Sequence, residues 1–320
     1  MTAPADQAAR TALEAARWAP SVHNTQPWSF AVAGEEISVR ADPDRKLRLG
    51  DPGGREVLIS CGAAVFNMTT ALRDAGREPI VRILPDPDRP SLLATVRLGP
   101  AAEPGEDTRT LAREIERRHT HRAGFADAVV PEQVTAAWER DAMAEGATLM
   151  IFRTPEAVRG LAGLTEAAQA VQAQDRPYAL EVFRWGRAPG SRRDDGVPAG
   201  TYPNEPEGEF AQRDYARGED WGAEESPFTG SGLVALLTTR EDTREAWLAA
   251  GQALEHVLLH ASANGISAAF HTQALEEPHL RDFLRERVCG GAHPQMLMRL
   301  GVAPEEGRRV RRPLTDLLGP

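Results

Sequence analysis

The loop Ala19-Pro20-Ser21-Val22-His23-Asn24-Thr25-Gln26-Pro27-Trp28 gathers hydroxyl, imidazole and amide side chains between prolines. Such a set suits a preformed surface for a planar polar heterocycle, or equally a capped, hydrogen-bonded loop whose Trp28 packs in the core. A second group is Arg117-Arg118-His119-Thr120-His121-Arg122. Arg118, Thr120 and Arg122 stand at i, i+2 and i+4, so in an extended loop they point to one side, where two guanidinium forks and a hydroxyl could hold an oxyanion. Cations that offset a helix C-terminal dipole are the other reading. A third is Arg308-Arg309-Val310-Arg311-Arg312-Pro313-Leu314. Four arginines in five positions repel one another unless an anion sits between them or they splay into solvent.

Other pairings offer less. His256 and His260 are four apart on a helical stretch, but no third ligand falls at motif spacing, so surface or interface histidines are expected rather than a metal site. Ser21 and His23 do not amount to a hydrolase, because no G-x-S-x-G elbow accompanies them. Lys46 is the one lysine, which makes Schiff-base chemistry a poor expectation. Cys61 and Cys289 lie far apart without neighbouring ligands and are expected to be reduced core or near-core thiols.

The elements that must position these groups follow from periodicity and turn residues. The pattern predicts a helix ending near Trp18, strands over 28–32 and 36–40 hinged at Gly34, and a long apolar helix from Asp51-Pro52-Gly53-Gly54 to about Ala75. Strands over 80–84 and 92–98 precede a linker-like stretch, 99–107. A second unit begins at Thr108 with a helix carrying Leu111 and Ile115, a helix opened by Pro131 and a strand over 147–152. Residues 153–230 loosen into one or two helices and a stretch rich in Gly, Pro, Arg and acid, too long for an idle connection. A strand over 233–239, a helix over 243–264, a short strand near Ala268, a helix over 280–287 and a strand over 296–302 complete the pattern.

Laying Arg55-Glu56-Val57-Leu58-Ile59 over Arg244-Glu245-Ala246-Trp247-Leu248 reveals a weak repeat at an offset of 189. The same offset pairs Gly62 with Gly251 and Gly76 with Gly265, and Val96-Arg97-Leu98-Gly99 recurs as Met298-Arg299-Leu300-Gly301 after an unequal loop. Either the chain is duplicated, or two generic helices share a pattern. A duplicated chain could reproduce within itself the two-fold contact of a homodimer.

The wording of these motifs resembles the nitroreductase family. Ala19, Pro20, Ser21, Asn24, Gln26, Pro27 and Trp28 match its A-P-S-x-x-N-x-Q-P-W loop, and Arg117 to Phe125 is similar to R-R-S/T-x-R-x-F, with His119 interposed so that the register shifts by one. Arg309 and Arg311 match the basic positions of its closing K/R-x-R-x-P-L segment. Together with Arg55-Glu56, Ser60-Cys61-Gly62-Ala63 and the stretch Pro294 to Gly301, the pattern resembles the Acg-like branch across most of the chain.

The resemblance implies an α+β nitroreductase-like fold, internally duplicated as a pseudo-dimer, with halves 1–105 and 106–153 plus 231–320 and a lid over 154–230. It also implies FMN, with the phosphate held by Arg118, Thr120, Arg122, Arg309 and Arg311, and the ring against Pro20, Ser21, Asn24 and Gln26. Thr272-Gln273 stands where relatives place the backbone donor to flavin N5, and Tyr178, Phe183, Trp185, Tyr202 and Trp221 would cover the ring. Each half contributes motifs that the other lacks, so one FMN per chain is expected. The implied activity is electron transfer from NAD(P)H to a small-molecule acceptor; the alternative is a flavin-sequestering or stress-associated protein with a closed lid.

Composition sets the outer bounds. The chain has 320 residues, 41% of them hydrophobic, enough for a substantial core, and a net charge of −10 that disfavours nucleic acid and anionic membranes as partners. No signal-like start and no long apolar run are present, so a cytoplasmic protein is expected, and an internal pseudo-dimer makes a monomer the simpler expectation.

Overall fold

A computed structural model describes residues 3–203, 210–223, 228–303 and 309–319. The chain starts with α1 (Ala3–Ala16), followed by β1 (Trp28–Ala33), β2 (Glu36–Ala41), α2 (Arg55–Asp74), β3 (Arg77–Ile83) and β4 (Leu92–Ala101). Trp28 and Phe30 on β1 and Ile37 and Val39 on β2 are buried in strict alternation, as a half-covered strand requires. The four strands form one antiparallel sheet in the order β1-β2-β4-β3.

The chain continues through α3 (Glu106–Glu114), α4 (Glu132–Ala144) and β5 (Thr148–Phe152), then makes a long excursion. The excursion holds α5 (Pro155–Gln174), α6 (Arg176–Phe183) and a small parallel pair, β6 (Gly186–Arg187) with β7 (Val197–Pro198). It returns as β8 (Leu233–Thr239), α7 (Arg244–Ala263), β9 (Ser267–Phe270), α8 (Gln273–Glu276), α9 (Pro278–Arg287) and β10 (His293–Gly301). These strands build a second antiparallel sheet, β5-β8-β10-β9.

The two sheets have the same order once β1, β2, β3 and β4 are matched with β5, β8, β9 and β10, and α2 occupies the place of α7. One connection differs. Gly34, at φ +61°, helps turn β1 directly into β2, whereas residues 153–232 join β5 to β8.

Helices α2 and α7 pack on each other at the centre, and α2 is buried on nearly every face from Arg55 to Leu72. Glycines make the crossing close. A Cβ on Gly62 would fall well inside van der Waals distance of the Leu248 carbonyl oxygen, and a Cβ on Gly251 would do the same to the Ile59 carbonyl. The offset of 189 exchanges these two contacts, which is the reciprocity of an isologous two-fold interface.

Some expected boundaries shift. β4 runs on to Ala101 and α3 starts at Glu106, which shortens the expected linker, because Ala101 pairs with Arg77 at the extended start of β3. β10 begins at His293 rather than Met296. Cys61 and Cys289 are buried free thiols, and no helix among the described residues is long and apolar enough to cross a membrane.

Candidate functional site

The loop after α1 is held in an unusual shape. His23, Asn24 and Gln26 have φ of 46°, 54° and 52°, a region non-glycine residues seldom enter. Their surroundings fix it: the Ser21 hydroxyl accepts from the Gln26 amide (3.0 Å), and the Val22 amide donates to the Ser60 hydroxyl of α2 (3.2 Å). Asn24 Nδ2 donates to the Gly196 carbonyl of the excursion (2.9 Å), and Gln26 Nε2 donates to the Asp194 carbonyl (2.8 Å). The C-terminal segment closes the other side, with the Arg312 amide donating to Gln26 Oε1 (2.8 Å). Strain of this kind persists only where the neighbourhood over-determines it.

Beside the loop lies a cleft of about 710 Å³, its mouth included. Pro20, Ser21 and His23 form one wall, and Glu56, Ile59 and Ser60 at the start of α2 form another. Thr120 and Arg122 come from the stretch after α3, where Thr120 bridges to Ala268 beside β9. Leu254, Phe270, Thr272 and Met296 complete the second half's share, and Gln212, Arg213 and Tyr215 roof it from the excursion.

Cations crowd the adjoining region. Arg118 Nη2 and Arg311 Nη2 both donate to the Trp18 carbonyl (3.3 and 3.0 Å), and Arg311 Nη1 donates to Asn24 Oδ1 (3.1 Å). Glu255 of α7 opposes both arginines, its Oε1 lying 3.5 Å from Arg118 Nε. Among the described residues, the Nε atoms of Arg118 and Arg311 are buried without a hydrogen bond. Burial and then Arg118 push Arg311 down to about 9, and burial pushes Glu255 up to about 7 against the pull of Arg118. Burial also lowers Arg122, and the Tyr215 phenol is the first group that offsets it.

The roof is tied down by buried polar contacts. Arg213 reaches Glu276, Tyr178 and the Thr272 hydroxyl, while the Tyr178 hydroxyl donates to Glu276 Oε2 (2.6 Å). Glu181 of α6 accepts from the amides of Arg48, Leu49 and Gly50. His23 Nδ1 lies 3.0 Å from the Tyr215 hydroxyl. Burial, with Arg213 and Arg122 nearby, holds that imidazole neutral, well below the usual histidine range.

A family description, "Nitroreductase family", matches residues 2–49. The Mycobacterium tuberculosis protein named "Putative NAD(P)H nitroreductase Rv3131" is 34% identical over 304 residues, covering 94% of this chain and 87% of that one. The chain belongs to the nitroreductase family. A second protein of that organism, "Putative NAD(P)H nitroreductase acg", is 28% identical, with 92% and 89% of the two chains covered. Among solved structures, a nitroreductase with bound FMN from Desulfitobacterium hafniense is similar over 65% of this chain and 95% of its own, at 12% identity and a TM-score of 0.41.

Within this member of the family, the residues singled out in the sequence separate into groups. Pro20, Ser21, Thr120, Arg122 and Thr272 line the cleft, while Arg118 and Arg311 converge beside it. Asn24, Gln26 and Gln273 do not line it. All three are buried amides spent on carbonyls: Gln273 Nε2 donates to the Ala211 carbonyl (3.2 Å), so these residues fasten the excursion instead. Arg309 donates to the Glu116 carbonyl, and Arg308 lies outside the described residues.

The five aromatics expected over a ring are not at the cleft. Tyr178, Tyr202 and Trp221 pack in the excursion's own apolar cluster, Phe183 stacks on Trp221 at 5.3 Å, and Trp185 lies beside Arg187, because a segment this long needs a core of its own. His256 and His260 pair with Asp141 of α4, and His256 also pairs with Glu145 just beyond that helix. Sequence reasoning missed Glu56, Arg213, Tyr215 and Glu276 as parts of the site. Arg55-Glu56 did carry a signal, a charged pair inside an otherwise apolar helix; Arg213 and Tyr215 carried none.

Proposed function

We propose that this chain is an FMN-dependent oxidoreductase that takes a hydride from NAD(P)H and delivers electrons to a small-molecule acceptor. The observation that carries this reading is the convergence of Arg118 and Arg311 on one carbonyl, near Arg122, with Glu255, among the described residues, the single carboxylate opposing the first two. Buried guanidinium groups that outnumber the carboxylate facing them, with an Arg311 Nε that has no hydrogen-bond partner among the described residues, fit a bound phosphate.

Arg118, Arg122, Arg311 and Thr120 would hold that phosphate, with Arg309 at its outer side. Pro20 and Ser21 would border the ring, and Thr272 would stand near its edge. The flavin, when bound, supplies hydride and single-electron chemistry. The chain binds and orients it, and Gln212, Arg213 and Tyr215 keep water from the cleft. A tandem duplication supports one composite site and a monomer, with residues 1–105 as one half, 106–153 and 231–320 as the other, and 154–230 as the lid. The ties of Arg213 and Glu181 favour a second reading, in which the roof stays shut and the protein sequesters flavin with little turnover.

Titration with FMN tests the cofactor reading. Arg311→Ala should weaken binding about 10- to 100-fold, the loss of a charged hydrogen bond. Unchanged affinity would remove the phosphate assignment. Prompt bleaching of bound flavin by NADPH or NADH favours the oxidoreductase, and a yellow protein inert to both favours sequestration.

A further inference from the structure

Among the described residues, Glu56 is the one carboxylate that lines the cleft, and it is 3% exposed. Its Oε1 accepts from Arg55 Nη2 at 3.1 Å, and among the described residues the carboxyl has no other hydrogen bond. Arg55 is itself divided, since its Nη1 donates to the Gln295 carbonyl of β10 at 2.5 Å.

The charged groups facing Glu56 come from each element packed around it. Asp51 belongs to the loop before α2 and already accepts from the Val57 amide (3.0 Å). Glu276 comes from α8 and takes donors from Arg213, Tyr178 and Thr272. Arg213 comes from the excursion. Three carboxyl groups therefore share two guanidinium groups, and Glu56 has fewer donors than Glu276. Burial, then Glu276 and Asp51, outweigh Arg55 and Arg213 and push Glu56 up to about 8. Lost solvation and two neighbouring carboxyl groups thus favour the protonated form of a carboxyl that borders the open space of the cleft. A general acid needs that combination of access and a proton retained near working pH.

We propose that Glu56 is a catalytic residue, the proton donor to quinones and other conjugated carbonyl acceptors reduced by two electrons in this cleft. The inference rests on the oxidoreductase reading above. A quinone that gains one hydride and one proton becomes a hydroquinone, and the hydride originates in reduced nicotinamide, which is oxidised. The proton leaves the Glu56 O–H bond as an O–H bond forms on the acceptor. The resulting carboxylate regains a proton from water before the next turnover.

The test compares E56Q with the wild-type holoenzyme, using menadione as the quinone and ferricyanide as an acceptor that takes one electron and no proton. The ratio of menadione to ferricyanide rates should fall about 100-fold in E56Q. E56D, which retains an acid, should recover part of it. The wild-type ratio should decline as pH rises through about 8, and the E56Q ratio should not. Infrared difference spectra of the flavin-free protein add a readout independent of turnover: a carboxylic acid C=O band at neutral pH, absent from E56Q. A Glu56 already ionised at neutral pH, or a ratio unchanged by E56Q, overturns the proposal while leaving FMN binding intact. Failure to bind FMN removes both readings.

Discussion

The same Arg-Glu pair opens α2 and α7, yet the two helix starts have opposite environments. At α2, Arg55 and Glu56 are 7% and 3% exposed beneath the excursion, next to Asp51, Glu276 and Arg213. At α7, Glu245 is exposed, Arg244 reaches the Pro90 carbonyl, and the helix is capped by the Thr243 hydroxyl accepting from the Ala246 amide (3.3 Å). The helices themselves are related by a two-fold contact, so helix identity does not explain the difference. The connection does: a short turn joins β1 to β2, whereas the long chain between β5 and β8 crosses to cover the other half. A near-symmetric scaffold thereby gains a cleft roofed at one helix start and not at the other, and burial turns an ordinary surface carboxylate into a group with altered chemistry.

The comparison breaks most severely at the crossing. Glycine replaced inside a helix usually gains stability, by about 1 kcal/mol for alanine. Gly62→Val should instead cost about 4 kcal/mol in urea denaturation, because the new side chain meets the Leu248 carbonyl rather than a flexible group. A neutral or stabilising result would mean that the two helices are not in close contact there.

Loosening the excursion should come next. Arg213→Ala leaves Glu276 and Tyr178 without their shared guanidinium and should cost about 3 kcal/mol of protection. Hydrogen exchange should show the loss over 176–183 and little change over the buried α2. Uniform loss across both would indicate that the excursion and core open as one unit.

A smaller effect appears in the pH dependence of stability. A carboxyl whose folded pKa lies above its unfolded value of roughly 4.3 binds protons more tightly when folded. Its stabilising contribution is complete below that value and is lost as pH rises through the folded value, about 7 for Glu255 and about 8 for Glu56. Buried neutral His23 and His271 act in the opposite sense only up to the ordinary histidine range of roughly 6.5, so above it the melting temperature of the wild-type chain should fall toward mildly basic pH. E56Q should flatten the upper part of that decline. The matched change at the other helix, Glu245→Gln, should leave stability within about 0.5 kcal/mol of wild type, because that side chain is exposed.

Much of this was legible in the chain. The alternation through Trp28, Phe30, Ile37 and Val39 marks half-buried strands, and the unbroken apolar run of α2 marks a central helix, because local periodicity reports which face is covered. Ser21, Thr120 and Arg122 were visible as polar groups worth placing, and they do share one cleft. Asn24 and Gln26 were visible too, but a buried amide serves a ligand or a neighbouring carbonyl equally well, and here the carbonyls belong to Asp194 and Gly196.

By itself, then, the sequence determined the strands, the helices, the paired glycines and the family, all of which depend on residue type and short-range order. Only the tertiary structure decided which helix start the excursion covers, and so which carboxyl loses its water. Solvation of an ionisable group depends on everything within reach of it in space, and the chain segments that supply Arg213, Glu276 and Tyr215 are far from Glu56 in sequence.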